Sequence, residues 1–114
     1  MLAVCRLSAD APVPLWAQGP ITCVCRTPDE LSIVCSAEHV PEGVRCEQPY
    51  RALRIAGTLD FALTGILSAI TVPLAVAQIS IFAISTFDTD YVLVREEQLS
   101  RAIAALTAAG HEVR

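Results

Sequence analysis

The segment Gly57-Thr58-Leu59-Asp60-Phe61-Ala62-Leu63-Thr64-Gly65 is rich in turn formers and runs straight into an apolar helical stretch. An α-amino acid needs main-chain amides for its carboxylate and an oxygen for its ammonium, and this loop offers both. The first amides of the helix, around Thr64, Gly65 and Ile66, have no intrahelical acceptor and attract an anion. Gly65 lets the backbone approach a ligand with no Cβ in the way. Asp60 supplies an oxygen for the ammonium. The plainer reading of the same residues makes Asp60 a turn or capping residue and Gly65 a packing glycine.

Other groups are chemically weaker. The corner Ser85-Thr86-Phe87-Asp88-Thr89-Asp90 could line a pocket or meet a second subunit, and it equally satisfies the needs of a tight turn. Cys23-Val24-Cys25 with Cys35 and Cys46 could form a thiolate metal site, but no C-x2-C pair is present. If Pro28-Asp29 is a two-residue hairpin loop, Thr27 pairs with Glu30 and Val34 with Cys23, which turns Cys35 to the opposite face. A longer loop would reverse that parity. Buried small hydrophobes are the expected role of these cysteines. Their count is odd, and the N-terminus has no basic region before a short apolar run, so no complete disulfide framework is expected.

Nothing points to catalysis. His39 and His111 stand alone in polar surroundings and read as solvated. No nucleophile elbow, phosphate loop or dinucleotide glycine pattern occurs. A nucleophilic Cys5 or Cys35 would need a lowered pKa, and apolar strand neighbours act in the other direction. The expected molecule is a binder without cofactor or metal.

Composition narrows the class further. A net charge of -4 and the absence of lysine exclude the clustered cations that a nucleic-acid partner demands. Hydrophobic residues make up 54% of the 114, above the globular norm, which suggests surface covered by a second copy. Residues 61–87 carry no charge, long enough to raise the question of a membrane span. Gly65, Pro73, Gln78 and Ser80 break the run, and its texture changes from Ala/Leu-rich to Ile/Phe/Ser-rich, so it reads as a helix followed by a buried strand. A cytoplasmic location follows by default.

The elements that must position the loop are legible in outline. Strands are predicted over 2–7, 21–27, 31–35, 44–46 and 50–55, with one helical turn at 37–40. Pro12 and Pro14 forbid a crossover helix in the first half. Ile66, Leu67, Ile70, Leu74 and Ala77 form one face of a helix over 64–77, with Pro73 weakening its middle. The residues Ile79 to Arg95 read as a hairpin, and 96–109 as a second helix with Leu99, Ala102, Ile103 and Leu106 on its stripe and Gly110 as its stop. From about Arg51 the order is strand, helix, strand, strand, helix, short strand. A weak repeat also links Thr27-Pro28-Asp29-Glu30 to Thr86-Phe87-Asp88-Thr89, each followed by an apolar run and a glutamate-containing helical start. Duplication of one unit, degenerate in its first copy, accounts for it.

At Leu59 to Leu67 and Ile79 to Val94, and again at Asp29 to Val34, Val40 to Gly43 and Tyr50 to Arg54, the chain resembles ACT-domain proteins. Within them it is most similar to small tandem-ACT bacterial proteins related to aspartokinase regulatory regions and the cytosolic arginine sensors. The resemblance implies an α+β ferredoxin-like βαββαβ sandwich of two ACT-like units, a degenerate one over 1–49 and a complete one over 50–114. It also implies a regulatory, non-enzymatic homodimer that binds an amino acid. By motif match the ligand loop is Asp60, Leu63, Thr64, Gly65 and Ile66, faced by the strand residues Ser80, Ile81, Phe82, Ala83 and Ile84. The alternative is a structural or oligomerisation module with no ligand. One departure stands out: the turn after the first helix, where such domains usually carry glycine, has Gln78, for which a left-handed exit costs roughly 1 kcal/mol.

Overall fold

The computed structural model describes residues 1–56 and 64–114. They fall into two units, Met1–Tyr50 and Arg51–Arg114. In the first, strands β1 (Leu2–Leu7), β2 (Cys23–Arg26), β3 (Leu31–Ser36) and the opening of β4 (Cys46–Arg54) lie in the order β2-β3-β1-β4. The β2–β3 hairpin has the two-residue register, with Cys23 opposite Val34 and Thr27 N–H donating to Glu30 O at 2.9 Å. The Thr27 hydroxyl adds a second tie, accepting from Glu30 N at 3.1 Å. Alternation then puts Ala3, Cys5, Leu31, Ile33 and Cys35 together on one face, covered by Trp16, Ala17 and Val40. The proline-containing segment forms no helix and lies under Arg26, whose guanidinium donates to the carbonyls of Ala9 and, at 2.8 Å, Ala11. The two predicted runs 44–46 and 50–55 prove to be one strand, since Cys46 to Tyr50 continues the pairing with β1 across a register shift between Leu2 and Val4.

The second unit starts from the end of β4 and adds α1 (Ile66–Val76), β5 (Ile81–Ser85), β6 (Asp90–Arg95) and α2 (Leu99–Ala108), with strand order β4-β6-β5. This is the split β-α-β of the predicted fold, with β6 inserted between the two strands joined by α1. The predicted closing strand is absent: residues 111–114 make no ladder, because His111 N–H turns back to Leu106 O at 3.0 Å to finish α2. The predicted second helix begins as a single 3-10 turn over Glu96–Gln98 before the α-helical part. Leu74 of α1 and Ala102 and Leu106 of α2 pack with Ile79, Val92 and Val94 into one buried cluster. Of the predicted stripe on α2, Leu99, Ala102 and Leu106 reach that cluster, joined by Ala105 in place of Ile103.

Both helices end in the same way. In α1, Gln78 takes the left-handed conformation at φ 59°, Gln78 N–H donates to Ala75 O at 2.9 Å, and Ile79 N–H donates to Leu74 O at 2.9 Å. Ile79 and Leu74 also meet in the core, which completes a Schellman stop. In α2, Gly110 stands in the equivalent place at φ 95°, with Gly110 N–H on Thr107 O and His111 N–H on Leu106 O, each at 3.0 Å. Among the described residues no helix is long and apolar enough to cross a membrane.

Candidate functional site

Gly65 adopts φ 76° and ψ -3° at the head of α1 and has no side chain with which to cap the helix. The first turn carries no acidic residue, and the intrahelical ladder begins with Ala69 N–H on Gly65 O at 3.0 Å. Among the described residues the amides of Ile66, Leu67 and Ser68 therefore precede the first bonded donor, the electropositive condition that favours an anion. Ser68 Oγ donates to Gly65 O at 3.1 Å, which holds the left-handed residue in place. Thr64 and Gly65 are exposed and Ile66 is half-buried. Asp60 and Leu63, the other two members of the expected loop set, lie outside the described residues.

The exit of β4 is held beside the β5–β6 corner. Ile55 N–H donates to Asp90 O at 3.1 Å, and the buried Thr89 hydroxyl donates to Ile55 O at 3.0 Å. The corner closes on itself through Thr86 N–H to Thr89 O at 2.8 Å and Thr89 N–H to Thr86 Oγ1 at 3.2 Å, and Ser85 Oγ donates to Asp90 Oδ1 at 2.5 Å. Thr86 and Thr89 are thus occupied by the turn. A cleft of about 630 Å³ is lined by Leu53, Ile55, Ile70, Leu106 and Val113 together with Arg54, His111, Glu112 and Arg114. Ile70, one helical turn beyond Ile66, is the residue of α1 on that cleft.

The strand residues of the expected set divide. Ile81 and Ala83 are paired with Val94 and Val92, which belong to the helix-side core, whereas Phe82 and Ile84 are paired with Leu93 and Tyr91 on the opposite face. Ser80 is exposed and follows the C-terminal stop of α1. With 11 residues in that helix, its two ends are about 16 Å apart, which separates Ser80 from Gly65. Only the far end of β5, toward Ile84 and Ser85, shares the end of the unit where β4 exits.

Two residues matter in ways that composition did not show. Pro73 has no N–H for Ala69 O, and His111 Nε2 supplies the missing donor at 2.8 Å. Because a carbonyl can only accept, the ring proton sits on Nε2. His111 is thus half-buried and structural rather than solvated. Arg101 Nη2 donates to Ala77 O at 2.7 Å, closing the other end of α1, so α2 and the residue after its stop hold α1 at two points. The signal was present in the spacing from Pro73 back to Ala69, but the partner is remote in sequence.

Cysteine parity follows the hairpin. Cys23 and Cys25 pair with Val34 and Ser32, on the face opposite Cys35. Cys5 is 2% exposed and Cys35 fully buried, while Cys46 is half-buried at the border of the same cluster. Burial pushes the Cys5 thiol up to about 12, with the neighbouring Cys35 and Cys46 adding to it, and burial also raises Cys35. Among the described residues no three His, Cys, Asp or Glu side chains converge as metal ligands.

A family model of the ACT domain matches residues 45–108, more than half of the chain. The chain belongs to the ACT-domain family. Residues 1–43 match a different model, that of an N-terminal domain. Protein Atu0741 from Agobacterium tumefaciens, known as a crystal structure, is 38% identical with a TM-score of 0.93, over 99% of this chain and 85% of that one. VC0802 from Vibrio cholerae, described as a protein of unknown function and possible transport protein, shares the fold: it is 22% identical with a TM-score of 0.74, over 96% of this chain and 84% of its own. Comparison with curated proteins returns no match. The ACT assignment, the mixed α+β architecture and the β4-β6-β5 order agree with a ferredoxin-like ACT fold, and ACT domains are a regulatory family that takes small ligands.

Proposed function

We propose that this protein is a non-enzymatic regulatory module that binds a free amino acid at the head of α1. The observation that carries the reading is the left-handed Gly65, which opens α1 with no side-chain cap in an ACT domain. The carboxylate takes the amides around Thr64 to Ile66, the ammonium takes Asp60, and Leu63 with the far end of β5 bounds the side chain. The cleft under Ile55 and Ile70 gives that side chain an apolar wall. The ligand acts as a switch, in the cytoplasm, through a homodimer whose partner or fused domain reads the bound state.

The identical corners of the two units support reading 1–49 as a degenerate ACT-like unit beside a complete one over 50–114. Thr27 and Thr86 each bind the residue three positions on through both N–H and hydroxyl. Each corner leads into a six-residue strand and then a three-residue 3-10 turn, at one constant offset along the chain.

Calorimetric and thermal-shift titration with the twenty amino acids tests the proposal. One of them raises the melting temperature by several degrees at a hundredfold excess over its Kd, equivalent to about 2.7 kcal/mol. Asp60→Ala abolishes that response while leaving the unliganded melting temperature within a few degrees. Silence from all twenty at millimolar concentration would leave a structural or oligomerisation module as the better account, and a monomer in sedimentation would remove the dimer.

A further inference from the structure

Three of the five cysteines gather on one face of the first unit, and their arrangement suits a reaction rather than packing alone. Cys5 of β1 and Cys46 of β4 are direct cross-strand partners. The next pair along the ladder, Arg6 and Arg45, is hydrogen-bonded through Arg6 N–H on Arg45 O at 2.9 Å. Cys5 and Cys46 therefore occupy a non-hydrogen-bonded site, where side chains stand on one face at their closest. Such pairs have Cα separations of ~4.5 Å, at the lower end of the ~4.4–6.8 Å a disulfide spans. Cys5 and Cys35 are buried in one cluster, and Cys46 packs against it at the border.

The two partners differ in access. Cys5 is 2% exposed, whereas Cys46 is half-buried and accepts a hydrogen bond from Gln48 Nε2 at 3.3 Å. Of the two sulfurs, Cys46 is therefore the one a small oxidant reaches from solvent.

We propose that Cys46 and Cys5 form a peroxide-responsive dithiol, in which Cys46 is the reacting sulfur and Cys5 the resolving one. The Cys46 thiolate attacks one oxygen of hydrogen peroxide. The O–O bond breaks, and the departing hydroxide takes a proton to become water, leaving Cys46 as the sulfenic acid. Burial keeps Cys5 protonated, so its thiol hands its proton to the departing hydroxyl as its sulfur attacks the Cys46 sulfur: the S–S bond forms, the S–O bond breaks, and a second water leaves. Two thiols lose two electrons and two protons in total, and the peroxide is reduced to two waters. Cys23 and Cys25, across the sheet, take no part. The bond would staple β1 to β4 without moving either strand.

Trypsin separates the sulfurs cleanly: Cys5 falls in Met1–Arg6, Cys46 in the peptide 46–51, Cys35 in 27–45, and Cys23 with Cys25 in 7–26. The full chain is exposed to equimolar hydrogen peroxide, alkylated, unfolded and digested without reductant. The expected product is a monomer lighter by two hydrogens, in which the first peptide is joined to the 46–51 peptide and reverts on reduction. Cys46→Ser, at a half-exposed position, should keep the fold by circular dichroism and leave Cys5 free to alkylate after unfolding. Three results would overturn the assignment: Cys46 oxidised while Cys5 keeps its thiol, Cys46 joined to the Cys35 peptide or to a second chain, or Cys5 oxidised at an unchanged rate in Cys46→Ser.

Discussion

At Gln78 a residue with a Cβ holds a conformation that glycine adopts freely, because the Schellman stop of α1 requires a left-handed residue there and the chain supplies glutamine. Gln78→Gly removes that strain and is expected to raise stability by about 0.5–1 kcal/mol in urea unfolding, after allowing for the added freedom of the unfolded chain. The opposite change at Gly110, φ 95° with open space around it, costs Gly110→Ala about 1 kcal/mol from backbone strain alone. A different residue-scale effect belongs to Cys5. Burial favours its neutral thiol, so the folded chain holds that proton more tightly than the unfolded chain. Its contribution is complete below the ordinary thiol value of 9.0 and is lost as pH climbs from there toward about 12. Melting temperatures measured across that range should fall, and Cys5→Ala should flatten the decline.

At the scale of elements, α1 keeps a proline in its interior because another element makes good the lost hydrogen bond. His111→Ala leaves Ala69 O to water and should cost about 1 kcal/mol. In a Pro73→Ala background the restored amide serves Ala69 itself, so the same His111 change should cost less; equal costs in the two backgrounds, by double-mutant cycle, would show that the imidazole does not compensate for the proline. The corners make a second comparison. Thr86→Val removes both side-chain bonds that close the β5–β6 turn and should cost about 1–2 kcal/mol. Thr27→Val should cost a similar amount, since its hydroxyl accepts from Asp29 N at 3.2 Å and Glu30 N at 3.1 Å, although it lies 3.4 Å from Glu30 O. The hairpins themselves were readable from the residues, but their parity was open: a two-residue loop and a longer one send the side chains to opposite faces. The observed Cys23–Val34 pairing is the one expected for the two-residue loop. The end of the second unit was not readable, because a short polar-apolar tail suits a strand as well as a coil, and the competing bond from His111 to Leu106 decides between them.

For the molecule as a whole, the order β4-α1-β5-β6-α2 and the amphipathic stripe of α2 were written in periodicity, glycine stops and uncharged length, each a local property that needs no partner to specify. Such signals also placed the stop at Gly110, whereas the left-handed exit at Gln78 was expected only from the resemblance to ACT domains. The candidate site was legible only as a loop: a helix head with glycine and a nearby carboxylate can be read from spacing, but which side chains share its end of the unit cannot. Strand alternation sent Phe82 and Ile84 to the face opposite the helices, and the length of α1 carried Ser80 to its far end. The gathering of Cys5, Cys35 and Cys46 is tertiary in the same sense, since it needs the registers of β1 with both β3 and β4. Local sequence determined where helices and strands form and stop, because those choices are made by neighbouring residues. Which distant residues touch, His111 with Ala69 or Cys5 with Cys46, was decided by folding, because burial and strand register bring together groups that no sequence period relates.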